Sequence, residues 1–273
     1  MIDTEAKAKE IRQEIYKIAN HAGGGHMAGS FSATDVISVL YFGDVLKYDS
    51  SNPAWDGRDR FILSKGHSCY ALYAALGLAG YFSLNELRTV GRPGSSFGGH
   101  PKIWEIPGVE ASTGALGHGL SLGIGMAYAL KQDEKNNHVY VMLGDGECQE
   151  GSIWEGALSA PTLELSNLTV IVDYNKLQAM DELEKIVHMK PFADKWRSFG
   201  WNVKEINGHD HQEIREALLV RDISKPTLIV SNTIKGKGVS FMENVPIWHY
   251  RMPNESELPM LMEELELTEE DLK

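Results

Sequence analysis

The chain has 273 residues, 42% of them hydrophobic and 23% charged, with a formal net charge of −12. That length can bury a sizeable core in one large domain or two small ones, and the composition is that of an ordinary globular protein. The acidic balance argues against a nucleic-acid surface, which needs a basic stripe to neutralise phosphates, and no apolar run approaches the roughly 18 residues that cross a bilayer.

The charged opening MIDTEAKAKE lacks the apolar core of a signal peptide, so the expected compartment is the cytoplasm. Cys69 and Cys148 form no CxxC pair and read as reduced thiols. From the N-terminus, apolar residues recur at helical spacing over 3–20, 33–42, 68–80 and 115–131. The last of these, ALGHGLSLGIGMAYALK, contains Gly117, Gly119, Gly123 and Gly125. Each costs a helix up to about 1 kcal/mol relative to alanine, so close approach of another backbone is expected to repay them.

Beyond residue 137 the pattern changes. Runs rich in β-branched and aromatic residues at 138–144, 168–174, 201–206 and 227–232 alternate with helical spacing at 150–163, about 191–199 and 211–220. Such alternation predicts crossover units: an α/β fold with an open, mostly parallel sheet and helices on both faces. Residues 254–273 hold eight acids against one lysine, which is −7 of the −12. With Leu258, Leu261, Met262, Leu265 and Leu272 among them, they read as an acidic amphipathic helix. One domain over 1–240 with a C-terminal extension over 241–273 is the expected organisation.

In an open parallel sheet, ligands sit beyond the carboxyl ends of the strands. Asp145, in VMLGDGE, and Asn175, in LTVIVDYN, fall at two such ends thirty residues apart. A carboxylate and a carboxamide side by side suit one hard cation, Mg2+ or else Ca2+ or Mn2+. Gly144 and Gly146 let the backbone turn sharply beside a ligand, and a helix starting near Gln149 would aim N–H groups at an anion. The combination suits a diphosphate bridged to the protein by the metal. Four histidines stand at loops or helix starts, where imidazoles meet polar ligands: His26 after three glycines, His67 in SKGHS, His100 in GGHPK and His249 in PIWHY.

GDG followed about thirty residues later by Asn resembles the motif of thiamine diphosphate enzymes. The order and surroundings of the four histidines resemble the N-terminal part of transketolase, most closely the small subunit of split transketolases, over residues 10–253. The resemblance implies the thiamine diphosphate-binding fold. It implies that Asp145, Asn175 and the Leu177 carbonyl bind the metal and that the Gly146 N–H meets the diphosphate. It puts His67 and His249 near the diphosphate, and His26 and His100 at the sugar's hydroxyls and carbonyl. STGALGHG resembles the family segment beside the thiazolium, which implies Gly114 and Leu116 at the cofactor ring. Glu150 matches a glutamate that contacts the partner's catalytic glutamate.

The implied activity is transfer of a two-carbon ketol unit from a ketose, or ketose phosphate, to an aldose or aldose phosphate. The family's second part, which holds the aminopyrimidine ring, has no counterpart here. A partner of transketolase C-terminal type, in a heterotetramer with two of each chain, is therefore implied. Ala115, His118 and the pair Tyr250-Arg251 depart from the family's usual residues, which leaves the sugar open. A subunit of a 2-oxoacid dehydrogenase or a deoxyxylulose phosphate synthase is the alternative within thiamine enzymes. A nucleotide-binding oxidoreductase would need GxGxxG after the first strand, and the glycine runs at 23–26 and 123–125 do not follow strand patterns.

Overall fold

In the computed structural model, which describes residues 2–272, two helices precede the first strand: α1 (Thr4–Ala22) and α2 (Met27–Phe42). Asp3 caps α1 by accepting from the N–H groups of Glu5 and Ala6, each at 3.0 Å, and Gly23, at φ 72°, closes it in the left-handed conformation. All of α2 is buried, and it begins six residues before the expected 33. A helix covered on every side has no polar stripe to give its start away.

Then follow β1 (Arg60–Leu63), α3 (Cys69–Leu78), α4 (His118–Gln132), β2 (Val139–Gly144), α5 (Gly151–Thr162) and β3 (Leu168–Tyr174). After them come a single turn α6 (Leu183–Ile186), α7 (Phe192–Ser198), β4 (Asn202–Asn207), α8 (His211–Leu219), β5 (Thr227–Asn232) and α9 (Leu258–Glu264). The five strands form one parallel sheet in the order β1-β2-β3-β5-β4. Strand β1 has no counterpart among the sequence expectations. Its four residues, RFIL, are too few to show a period.

Side chains alternate across the sheet. Tyr140, Met142, Ile171 and Ile229 pack with α1, α2 and α3, whereas Val139, Val141, Val170 and Val172 pack with α4, α5 and α7. Both faces are therefore covered by helices, as a parallel sheet requires.

The glycines of α4 divide. A Cβ on Gly123 would lie 2.3 Å from Val141 Cγ2 and one on Gly119 2.3 Å from Ser64 Oγ, so these two let α4 press onto the sheet. Gly125 is exposed, and a Cβ there would meet nothing within 4 Å among the described residues. The expected acidic helix over 254–273 is shorter: α9 stops at Glu264, Glu266 has φ 52°, and a 3-10 turn over Glu269–Leu272 follows. Lys273 lies outside the described residues. Leu261 and Leu265 join the same core as α1, and Gln13 Nε2 donates to the Leu265 carbonyl at 2.8 Å.

Candidate functional site

The carboxyl ends of β1, β2, β3 and β5 open into a cleft of about 440 Å3. The residues expected to meet metal, cofactor, sugar or partner all line it: His26, His67, His100, Gly114, Leu116, Asp145, Gly146, Glu150, Asn175, Leu177 and His249. They arrive from different elements. His26 is the residue before α2, His67 sits in a 3-10 turn just after β1, and His249 in another over Pro246–Tyr250.

Register explains how Asp145 and Asn175 come together. Gly144 pairs with Asp173, so the two chains leave the sheet side by side. Asp145 Oδ2 then accepts the backbone N–H of Lys176 at 2.5 Å, and Oδ1 accepts that of Gly146 at 2.7 Å. Burial, and next the charge of Asp173, push the Asp145 carboxyl up to about 7, against those two N–H bonds. Asn175 is oriented from behind: its Nδ2 donates to Asp173 Oδ2 at 3.1 Å, which leaves Oδ1 toward Leu177, whose N–H it accepts at 3.1 Å.

Asp173 itself is fully buried and is the anchor of this corner. It pairs with the equally buried Lys65 and accepts from Ser32, at 2.7 Å, and from Thr233. Burial works against its charge, but Lys65 and these hydroxyls hold the carboxyl below its usual value. Lys65 also donates to the Gly29 carbonyl at 3.0 Å, tying the end of β1 to α2.

The rings of His26, His67 and His249 form a triangle with centroids 5.1–5.8 Å apart. Burial, then the charge of His100 and Lys235, lowers His26 to about 4. Burial, then Lys235, lowers His249 to about 3, and burial drives His67 well below its usual value. At neutral pH all three are therefore neutral imidazoles that donate at one nitrogen and accept at the other. His100 lies across the cleft mouth against Gly114, whose φ is 143°; a Cβ there would come within 2.9 Å of the His100 ring.

Five polar side chains that line the cleft were missed in the sequence: Lys65, Lys235, Glu147, Gln149 and Gln178. Lys235 Nζ donates to the carbonyls of Leu177, at 3.1 Å, and Gln178, at 3.2 Å, and to His249 Nδ1 at 2.9 Å. Burial, and then the charge of Lys65, lowers its pKa to about 8. For Lys235 the one available signal was position, since it follows the carboxyl end of an expected strand, in NTIK; Lys65 follows β1, which the sequence did not show. Glu147 accepts the N–H groups of Gly117 at 2.9 Å and Gly144 at 3.0 Å, and the hydroxyl of Ser64, so it braces the start of α4 against the sheet.

The expected helix start near Gln149 needs correction. Glu147–Gln149 is a 3-10 turn, α5 begins at Gly151, and the N–H groups of Cys148, Gln149 and Glu150 are spent on carbonyls within the turn. The donors that stay free are instead the side-chain amides of Gln149 and Gln178, whose buried Nε2 atoms have no partner among the described residues. Gln178 reaches across Gly146, where a Cβ would lie 3.0 Å from its Cγ. The cleft thus offers amide and imidazole donors, as an anion requires, together with the oxygens of Asp145, Asn175 and Leu177, as a hard cation requires.

Residues 3–265 match the family described as "Transketolase, thiamine diphosphate binding domain". The chain is 41% identical over 251 residues to an apulose-4-phosphate transketolase subunit of Phocaeicola vulgatus, covering 91% of this chain and 89% of that protein. It is 43% identical over 244 residues to a 6-deoxy-6-sulfo-D-fructose transketolase subunit of a Clostridium species, covering 89% and 88%. Among solved structures, transketolase from Leishmania mexicana superposes with a TM-score of 0.89 at 29% identity, over 100% of this chain and 43% of that one.

Proposed function

The chain belongs to the transketolase family, in its thiamine diphosphate-binding part, and on that premise we propose that it is the N-terminal subunit of a two-chain ketol transferase. The observation that supports this most is the convergence of Asp145, Asn175 and Leu177, on two adjacent strand ends, with four histidines in one cleft. Two relatives of nearly the same length are named as subunits, and full-length transketolases extend well beyond this chain.

In this reading Asp145, Asn175 and the Leu177 carbonyl would hold a divalent ion, Mg2+, Ca2+ or Mn2+, which would supply positive charge for the diphosphate of thiamine diphosphate. The fit is chemical. A buried carboxylate pushed up to about 7 regains its charge beside a cation, and the unpartnered amides of Gln149 and Gln178 gain acceptors. His67, His249 and Lys235 would face the diphosphate, and Gly114 and Leu116 the ring. When bound, thiamine diphosphate supplies the nucleophilic carbon that accepts and passes on a two-carbon ketol unit.

The chain's own contribution to catalysis lies in its histidines. His26 and His100 would hydrogen-bond the hydroxyls and carbonyl oxygen of the sugar. As a neutral imidazole His26 can give a proton to, or take one from, an oxygen whose charge changes during carbon–carbon cleavage. Tyr250, with its ring 4.8 Å from that of His26, stands at the outer side of this group. The donors to be tried first are ketoses with an anionic end group, because the two named relatives act on a sugar phosphate and a sulfo-sugar.

Glu150 would meet a second subunit of transketolase C-terminal type, which completes the site in a heterotetramer. The test is an assay of ketol transfer by the purified chain with and without that subunit, in the presence of thiamine diphosphate and Mg2+. Activity is expected only in the mixture, and appreciable transfer by the chain alone would refute the half-site reading.

A further inference from the structure

Outside the cleft lies a second buried polar cluster, centred on Asp35 of α2, which is 4% exposed. Its carboxylate accepts Arg12 Nη1 at 3.0 Å and Nη2 at 2.7 Å, His209 Nδ1 at 2.6 Å and His211 Nε2 at 3.1 Å. Burial pushes this carboxyl up, but the hydrogen bonds from His209 and His211 and the charge of Arg12 hold it far below the usual carboxylate range.

Two of these groups reach on to the loop that follows β5. His209 Nε2 accepts the backbone N–H of Ile234 at 2.8 Å, and Arg12 Nε donates to the Lys237 carbonyl at 2.9 Å. An N–H can only donate, so Nε2 carries no hydrogen and Nδ1–H is the donor to Asp35. Ile234 and Lys237 flank Lys235, whose ammonium enters the cleft. Gly236 and Gly238, at φ 82° and 97°, give this stretch conformations that other residues rarely adopt. A further tie to the body of the protein is the N–H of Gly236, which donates to the Ala28 carbonyl at 3.0 Å.

We infer that His209 and Asp35, with Arg12, are positioning residues for the cleft: they fix the backbone on both sides of Lys235 and so set its ammonium between Leu177, Gln178 and His249. None of the three lines the cleft, and each acts through the loop. The inference rests on the proposed reading only in taking Lys235 to face the diphosphate.

Hydrogen exchange in the full chain tests the clasp without any cofactor. His209→Ala is expected to speed exchange of the segment 233–240 about tenfold, the worth of one good hydrogen bond, with the β3 segment 168–174 unchanged. His209→Gln, which keeps one donor and one acceptor, is expected to restore protection. Unchanged exchange at 233–240, or an equal rise throughout the chain, would overturn the inference.

A double-mutant cycle then links the clasp to Lys235. With thiamine diphosphate and Mg2+ as the probe and the partner subunit present, His209→Ala is expected to weaken binding about tenfold when Lys235 is present and less than about twofold in Lys235→Ala. Equal losses in both backgrounds would show that His209 supports the fold rather than the lysine. Failure of the unaltered chain to bind the probe with the partner subunit present would count against the proposed function instead, and the exchange result alone would then decide.

Discussion

The backbone N–H of Lys176 lies 2.5 Å from Oδ2 of Asp145. The turn that leaves β3 therefore grips the carboxylate at the end of β2, and the two strand ends cannot separate without breaking that bond. This crosslink puts the Asp145 carboxylate beside Asn175 in advance of any ligand.

Asp145→Ala is expected to abolish metal-dependent binding of thiamine diphosphate and to leave the fold intact. Since even outer partners of metal ligands are worth about 10- to 100-fold in affinity, the loss should exceed about a hundredfold. Calorimetry with the partner subunit present measures it, and circular dichroism checks the fold. Unchanged affinity would rule out Asp145 as the metal's ligand.

Lys65→Met should destabilise the chain by about 3–5 kcal/mol, because it strands the buried charge of Asp173. Adding Asp173→Asn removes that charge and should return part of the loss. Urea titrations of the single and double variants give both numbers. A single variant as stable as the native chain would mean that this ion pair does not anchor the corner.

The α4 glycines should respond in opposite directions. Gly123→Ala forces a methyl into Val141 and is expected to cost about 1–3 kcal/mol. Gly125→Ala meets nothing within 4 Å among the described residues and should stabilise the chain by up to about 1 kcal/mol. If the exposed side of α4 is where a second subunit docks, Gly125→Ala will also weaken assembly, read from a partner titration.

Acid should weaken the fold through the buried imidazoles. His26 titrates near 4 and His249 near 3, both below the value of about 6.5 expected when unfolded. Between these limits the unfolded chain binds more protons, so stability rises with pH across the window and is lost as pH falls through it. The melting temperature should drop from pH 6.5 to pH 4, and less steeply in a His26→Asn/His249→Asn variant. Equal slopes would mean that these rings are solvated.

Much of the fold could be read from the chain. Strands β3 and β5 fall on the residues expected of them, because fully buried parallel strands are continuous apolar runs with clear ends. The parallel sheet with helices on both faces followed from alternation alone. What escaped was short or covered on all sides: the four residues of β1, the first turns of α2, and the 3-10 turn before α5.

The cleft was legible where chemistry and position coincide in one residue. A carboxylate between glycines at a strand end, or a histidine after a glycine run, announces itself. Lys65 and Lys235 do not, since a lysine looks like surface until its burial is known. Gln178 is harder still, because its place above Gly146 depends on a turn that brings the two loops together. Glu147 was passed over for Asp145, two residues earlier, although its carboxylate braces three separate elements.

The outward sides of α4 and α5 expose Leu122, Tyr128 and Leu158, 43%, 43% and 58% accessible. Free copies carrying these oily spots should stay apart in dilute buffer because each bears a formal net charge of −12, a repulsion that acts over about 10 Å at 0.1 M salt and about 3 Å at 1 M. Purification in concentrated salt would strip that protection and strengthen apolar adhesion together, so the chain alone should clump there unless the proposed partner is added first.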